Sequence, residues 1–170
     1  MITVNKAVIQ KVNEFISFFE GRKNTAYKDS GGVWTIGLGS TKNVTPGLVI
    51  SEAEIYARFE TDIMDAIDRA NKNVSVTLND AEKVAVISQA YNLRSFEKLA
   101  DHLNQDRALY KKKLLLYYYD IAKHPVKGLL IRRIAERLQF EGRDWRTTAT
   151  ALQKMKLEDV QSEVNNLFTS

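Results

Sequence analysis

The sequence predicts a mostly α-helical α+β protein: one helix, one small β-hairpin, then a helical remainder. Three observations predict it. Apolar residues recur at helical steps before residue 20, a glycine-punctuated β-prone stretch follows, and two capping boxes open helical patterns further on. At 170 residues the chain is long enough for one domain with a real core. Its apolar share of 44% and charged share of 27% are ordinary for a globular protein and exclude a disordered chain or a coiled-coil rod.

Each element follows in order. Val8, Ile9, Val12, Phe15, Ile16 and Phe19 form the stripe of a first helix over 5–20, and Gly21 is its expected stop. Ala26-Tyr27-Lys28 and Val33-Trp34-Thr35-Ile36 flank Gly31-Gly32, which reads as a hairpin. Gly37, Gly39 and Thr45-Pro46-Gly47 mark further turns. Ser51 with Glu54 caps a helix carrying Ile55, Phe59, Ile63 and Ile67 at four-residue steps, and Asn79 with Glu82 caps the next, before the apolar run 84–93. Further helices are expected over 106–123, 128–140, 145–155 and 157–168, with Pro125 breaking the chain between the first two. Within the first of these, Leu114 to Tyr119 reads as buried helix with tyrosine hydroxyls at its rim.

Composition removes several chemistries. The absence of cysteine excludes disulfides, thiolate metal sites and thiol nucleophiles. The only histidines, His102 and His124, belong to no His-Glu-x-x-His pattern, so no metal site is expected. Gly37-x-Gly39 lacks the third glycine of a dinucleotide fingerprint, and no phosphate-binding Gly-Lys-Ser/Thr loop exists, so no cofactor is expected. The net charge of +4 favours an anionic polymer. Lys111-Lys112-Lys113 lacks interleaved aromatics, which argues against nucleic acid. No run of about 18 apolar residues is present, so no membrane insertion is expected, and the first residues do not read as a Sec-type signal peptide.

Glu20 continues the apolar stripe four residues after Ile16, at a helix C-terminus. The negative helix end and apolar surroundings both favour its protonated form, the form a general acid needs. Taken alone it also fits a plain polar helix end. Asp29 stands at the hairpin tip, where Asp-Ser-Gly-Gly is ordinary turn chemistry. Thr35 alternates with Trp34 and Ile36, so it faces away from them, on a side that can line a cleft.

Together, Glu20-Gly21, Ala26-Tyr27-Lys28-Asp29 and Gly32-Val33-Trp34-Thr35-Ile36-Gly37-Leu38-Gly39 resemble the N-terminal lobe of phage-type lysozymes, the muramidases that tailed phages use as endolysins. That family's Glu, Asp and Thr are separated by eight and five residues, and this chain meets both spacings without a gap. The segment from Gly47 to Glu54 is similar to the start of the family's interlobe helix. Tyr91-Asn92-Leu93 resembles its cleft-wall turn, and Gly128-Leu129 with Arg132-Arg133 and Ala135-Glu136 resembles its C-terminal helix. The resemblance covers roughly residues 8–145.

The resemblance implies a two-lobed lysozyme fold in a single domain, 1–170, with a hairpin lobe at about 21–50 and a helical lobe at about 51–170 on which the first helix packs. It implies a cofactor-free monomer that hydrolyses the β-1,4 bond between N-acetylmuramic acid and N-acetylglucosamine in peptidoglycan. Glu20 is then the general acid, Asp29 orients or activates water and Thr35 helps hold it. Thr41, Tyr91, Asn92 and Asp120 bind sugar, and Arg132 supports Glu20. Arg133 is left between that supporting role and clothing a helix face. Two carboxyl groups suit such cleavage because one donates a proton while the other serves as base, about 6.5–9.5 Å apart in inverting enzymes. Synthesis in the host cytoplasm and action on periplasmic peptidoglycan, after release through a separate membrane lesion, complete the expectation. A catalytically weakened wall-binding module and a lytic transglycosylase are the alternatives.

Two positions depart from the family's pattern. Ser40 stands where the family often has His, which predicts altered packing or pH response. Arg94 stands where it usually has Gly, which predicts changed geometry or substrate contacts beside Asn92.

Overall fold

The structure, a computed structural model, describes residues 1–169; the expected domain end at Ser170 lies outside them. Helix α1 (Lys6–Phe19) starts where the Asn5 side chain accepts from Val8 N–H and buries Val8, Val12, Phe15 and Ile16. It does not end on a left-handed glycine, as the sequence suggests at Gly21. Glu20 itself leaves the helix in an extended conformation, φ −88° and ψ 128°, with its N–H still bonded to Ile16. That turn outward swings the carboxylate off the helix surface.

The hairpin pairs β1 (Lys23–Lys28) with β2 (Trp34–Gly37), placing Tyr27 opposite Thr35. A third extended piece was not expected: Ala26 N–H donates to Leu48 O at 2.8 Å and Ile50 N–H to Asn24 O at 2.9 Å. After β2 the chain doubles back so that Ile36 and Ser40 exchange both backbone hydrogen bonds. That reversal needs left-handed backbone at Gly37 and Gly39, with φ of 65° and 90°.

Helix α2 (Glu52–Asn73) is capped by Ser51 and buries Ile55, Phe59, Ile63 and Ile67 on the expected stripe. Its 22 residues span about 33 Å. Its N-terminal part meets the hairpin, where Ile55 lies under Gly37, and its later turns pack on α3 (Asp80–Asn92) and α4 (Phe96–Gln105). Helix α3 has the expected Asn79–Glu82 capping box and is buried almost all round from Val84 to Ala90. It lies at the centre, between α1 and α2 and against α6 (Lys127–Phe140). Helices α7 (Trp145–Leu152) and α8 (Leu157–Phe168) pack on α6.

The long helix expected over 106–123 is not formed. Helix α5 (Arg107–Leu114) stops after its three lysines, which suit the negative helix end. From Tyr117 the chain is extended and pairs with itself: Val126 N–H donates to Tyr118 O and Asp120 N–H to His124 O, with Lys123 at φ 66°. Aromatic β-propensity in the three tyrosines and Pro125 at the return outweigh the helical spacing. Tyr119 is therefore 48% exposed instead of buried, and Leu116 points outward too.

Candidate active site

Glu20 is held from both sides. Arg132 Nη1 donates to its Oε1 at 2.5 Å, and Gly39 passes so close that a Cβ there would lie 2.8 Å from Oε2. Arg132 is itself oriented by Glu136, whose Oε1 lies 3.3 Å from Nε, and by the Ser88 hydroxyl, which also donates to Glu136 at 2.7 Å. With 4% of its side chain exposed, Arg132 reaches Glu20 from within the helical lobe, while Glu20 keeps 16% exposed at the surface of a groove.

Asp29 sits at the hairpin tip as expected. Its Oδ1 accepts from the N–H groups of Gly31 and Val33, both at 2.8 Å. These bonds fix the carboxylate and leave Oδ2 outside the tip's own hydrogen bonding. Thr35 is buried, with 3% exposed, and its hydroxyl donates to Val33 O at 3.0 Å. It shares a sheet face with its cross-strand partner Tyr27. Burial first, then the charges of Glu20 and Asp29, push the Tyr27 phenol pKa upward. Both carboxylates therefore lie near the ring that Thr35 faces. Tyr27 belongs to the site although the sequence assigned it no role; its place two residues before Asp29 was the available signal.

The groove runs between the hairpin tip and the helical lobe in two stretches of about 300 and 290 Å³. Asp29 lines one and Glu20 the other, and Ser30, Asn92 and Leu129 line both. Of the residues expected to bind sugar, Asn92 and Asp120 are in this groove. Asn92 Oδ1 accepts from Arg133 Nη2 at 2.6 Å, which leaves its amide NH₂ to donate. Asp120 is partly used by its own turn, since Oδ1 accepts from His124 N–H; that bond, before any other influence, holds its carboxyl below the usual range.

Thr41 and Tyr91 are elsewhere. They line a smaller hollow of about 170 Å³, shared with Gly39, Asp62 and Arg69. Tyr91 donates its hydroxyl to Leu38 O at 2.5 Å, and burial, then Glu20 and Asp62, raise its pKa strongly. It braces the Gly39 turn and carries no free donor into the groove beside Glu20.

Arg133 is not a surface residue. It is fully buried, paired with Glu136 Oε2 at 3.2 Å, and burial pushes its pKa down to about 10, still a cation at neutral pH. One buried carboxylate, Glu136, thus aims Arg132 at Glu20 and Arg133 at Asn92. The sequence signal for it was the acid at positions four and three after the two arginines. At the departures, Ser40 is buried and donates to the Asp62 carboxylate. Arg94 is not among the residues with left-handed backbone, so the backbone carries no strain of that kind there.

Comparison with known proteins bears on the family and the fold. The phage lysozyme family profile matches residues 17–136. The SAR-endolysin of Escherichia phage P1 is 29% identical over 140 residues, covering 73% of this chain and 76% of that protein. The chain spans only about half, 52%, of the SAR-endolysin of Escherichia phage 933W, at 30% identity over 52% of its own length. Among solved structures, the active form of the P1 phage endolysin Lyz superposes with a TM-score of 0.64 at 26% identity, covering 78% of this chain and 84% of that one. The match to residues 17–136 takes in Glu20, Asp29, Thr35 and Arg132 within most of the fold, and the chain belongs to the phage lysozyme family.

Proposed function

We propose that this endolysin-type lysozyme hydrolyses the β-1,4 bond between N-acetylmuramic acid and N-acetylglucosamine in peptidoglycan. Glu20 donates a proton to the glycosidic oxygen, Asp29 activates or orients water, and Thr35 helps hold that water. The observation that carries this reading is the groove itself: a fixed carboxylate on each stretch, joined by shared walls at Ser30, Asn92 and Leu129. Water attacks from the Asp29 side while the leaving oxygen takes its proton from Glu20, which gives inversion at the anomeric carbon. Asn92, held by Arg133, and Asp120 bind the sugar chain. Thr41 and Tyr91 act from behind the Gly39 turn.

Among the described residues no helix is long and apolar enough to cross a membrane. We read the chain as a single catalytic domain working as a monomer, made in the host cytoplasm and acting on periplasmic peptidoglycan. The test is mass spectrometry of muropeptides released from purified sacculi, run beside Glu20→Gln. Hydrolysis adds water to each product, and the variant is expected to lose release by about 10²–10⁴-fold while still folded. Anhydro-sugar products would make the chain a transglycosylase instead. Full release by Glu20→Gln would remove the assignment.

A further inference from the structure

We propose that Arg94 is a specificity residue, binding a free carboxylate on the peptide stem of the glycan substrate; this rests on the peptidoglycan reading above. Arg94 stands in the turn between α3 and α4 with an exposed side chain. Its backbone is clamped from beneath. The Arg69 guanidinium donates to the carbonyls of Ala90, Leu93 and Arg94 at 2.8–2.9 Å and holds Glu97 through both its oxygens.

From there the side chain reaches across the mouth of the groove to the hairpin tip. A Cβ added at Gly31 would lie 3.4 Å from Arg94 Nη2 and 3.3 Å from Asp29 Oδ1, on the wall that both residues form. Among the described residues the Arg94 guanidinium takes part in no ion pair. Neither nearby carboxylate pairs with it: Asp29 Oδ1 accepts from two backbone N–H groups, and Asp120 bonds with His124. An exposed cation on the groove wall, beside the expected point of cleavage, has no ion-pair partner among the described residues.

The sugar backbone offers hydroxyls and amides, whereas the peptide stem offers carboxylates, and a guanidinium fork matches a carboxylate with two parallel hydrogen bonds. The same wall supplies Ile121 and Leu129 for the alkyl parts of a short peptide. Asp29 and Asp120 in that groove repel any anion, but a polyphosphate with its row of charges more than a single carboxylate, which disfavours nucleic acid.

The test uses the full chain carrying Glu20→Gln and two probes. One is a short glycan of alternating N-acetylglucosamine and N-acetylmuramic acid bearing peptide stems; the other is the same glycan stripped of stems by an amidase. Calorimetry at low salt is expected to show about tenfold tighter binding of the stem-bearing glycan. Adding Arg94→Ala is expected to erase that preference, Arg94→Lys to restore part of it, and blocking the stem carboxylates as amides to erase it in the parent. An unchanged preference in Arg94→Ala overturns the proposal. So does an equal loss of affinity for both glycans, which marks a structural or sugar-contacting role. The hydrolase reading is judged separately, by the products that the wild-type chain releases from sacculi.

Discussion

Arg132 and Glu20, 112 positions apart in sequence, meet at 2.5 Å, and the arginine is the end of a buried chain of charges that begins at Glu136. A helix end is a loose place for a catalytic side chain, because the chain is leaving regular structure there. Here the looseness is removed by a cation delivered from another helix. Arg132 thus fixes where Glu20 points.

Removing that cation is expected to cost stability. Arg132→Met leaves Glu20 and Glu136 facing a neutral side chain, and breaking a buried pair from one side costs about 3–5 kcal/mol. The low end applies, since Arg133 and Ser88 still hold Glu136. Arg132→Lys keeps the charge but cannot reach both carboxylates with a fork, so an intermediate loss is expected. Denaturant unfolding of the three proteins checks the order; a variant as stable as wild type would show the pair to be dispensable.

Gly39→Ala tests the other side of Glu20. The new methyl would meet Oε2 at 2.8 Å on a residue whose φ is 90°. Left-handed backbone on a non-glycine residue costs of order 1–3 kcal/mol, and the carboxylate must move as well. Stability and glycan cleavage should both fall, cleavage more steeply. Normal cleavage kinetics in this variant would contradict the close fit between the turn and the acid.

The two jobs of Asp29 can be separated. Asparagine keeps Oδ1, and with it the bonds to Gly31 and Val33 that shape the tip, but replaces the second oxygen with NH₂. Alanine removes both. Asp29→Asn is expected to keep near-wild-type stability and lose about 10²–10⁴-fold in turnover, while Asp29→Ala loses turnover and also about 1–2 kcal/mol from two orphaned N–H groups. If the two variants unfold alike, the tip does not depend on the carboxylate.

Local signals made most of the frame legible. The caps at Ser51 and Asn79 and the stripe from Ile55 to Ile67 are decided by residues within a few positions of one another, and they form as the spacing predicts. The backbone path by which the chain leaves α1 after Phe19 and the segment from Tyr117 to Val126 differ from expectation for the opposite reason. Each is settled by pairing or packing against residues that periodicity does not see. The same holds within the site. Glu20, Asp29 and Thr35 stand out because they share one short segment, whereas Arg133 meeting Asn92, Ser88 meeting Glu136 and Tyr91 meeting Leu38 depend on three-dimensional contact. Thr41 and Tyr91 fell behind the Gly39 turn, since nothing in their sequence positions tells one side of a turn from the other.

Asp62 gives a pH-dependent expectation. It is half-buried on α2 and accepts from the Ser40 hydroxyl. Burial raises its pKa above the ordinary 3.8; Asp65 adds to the rise, while the Ser40 bond, Lys42 and Arg58 oppose it. A carboxyl with a raised pKa binds its proton more tightly folded than unfolded. Its contribution to stability is therefore greatest below the unfolded value and declines as pH climbs through the folded one. Asp62→Asn removes that titration and still offers an oxygen to Ser40. At pH 7 the variant is expected to melt above wild type, with the gap closing as pH falls through the raised folded value and gone below about 3.8, where Asp62 is protonated in both states. Thermal unfolding between pH 3 and 8 decides it. A variant that melts below wild type at pH 7 would mean that the charge, through Ser40 and Lys42, holds the hairpin lobe to α2 more strongly than burial opposes it.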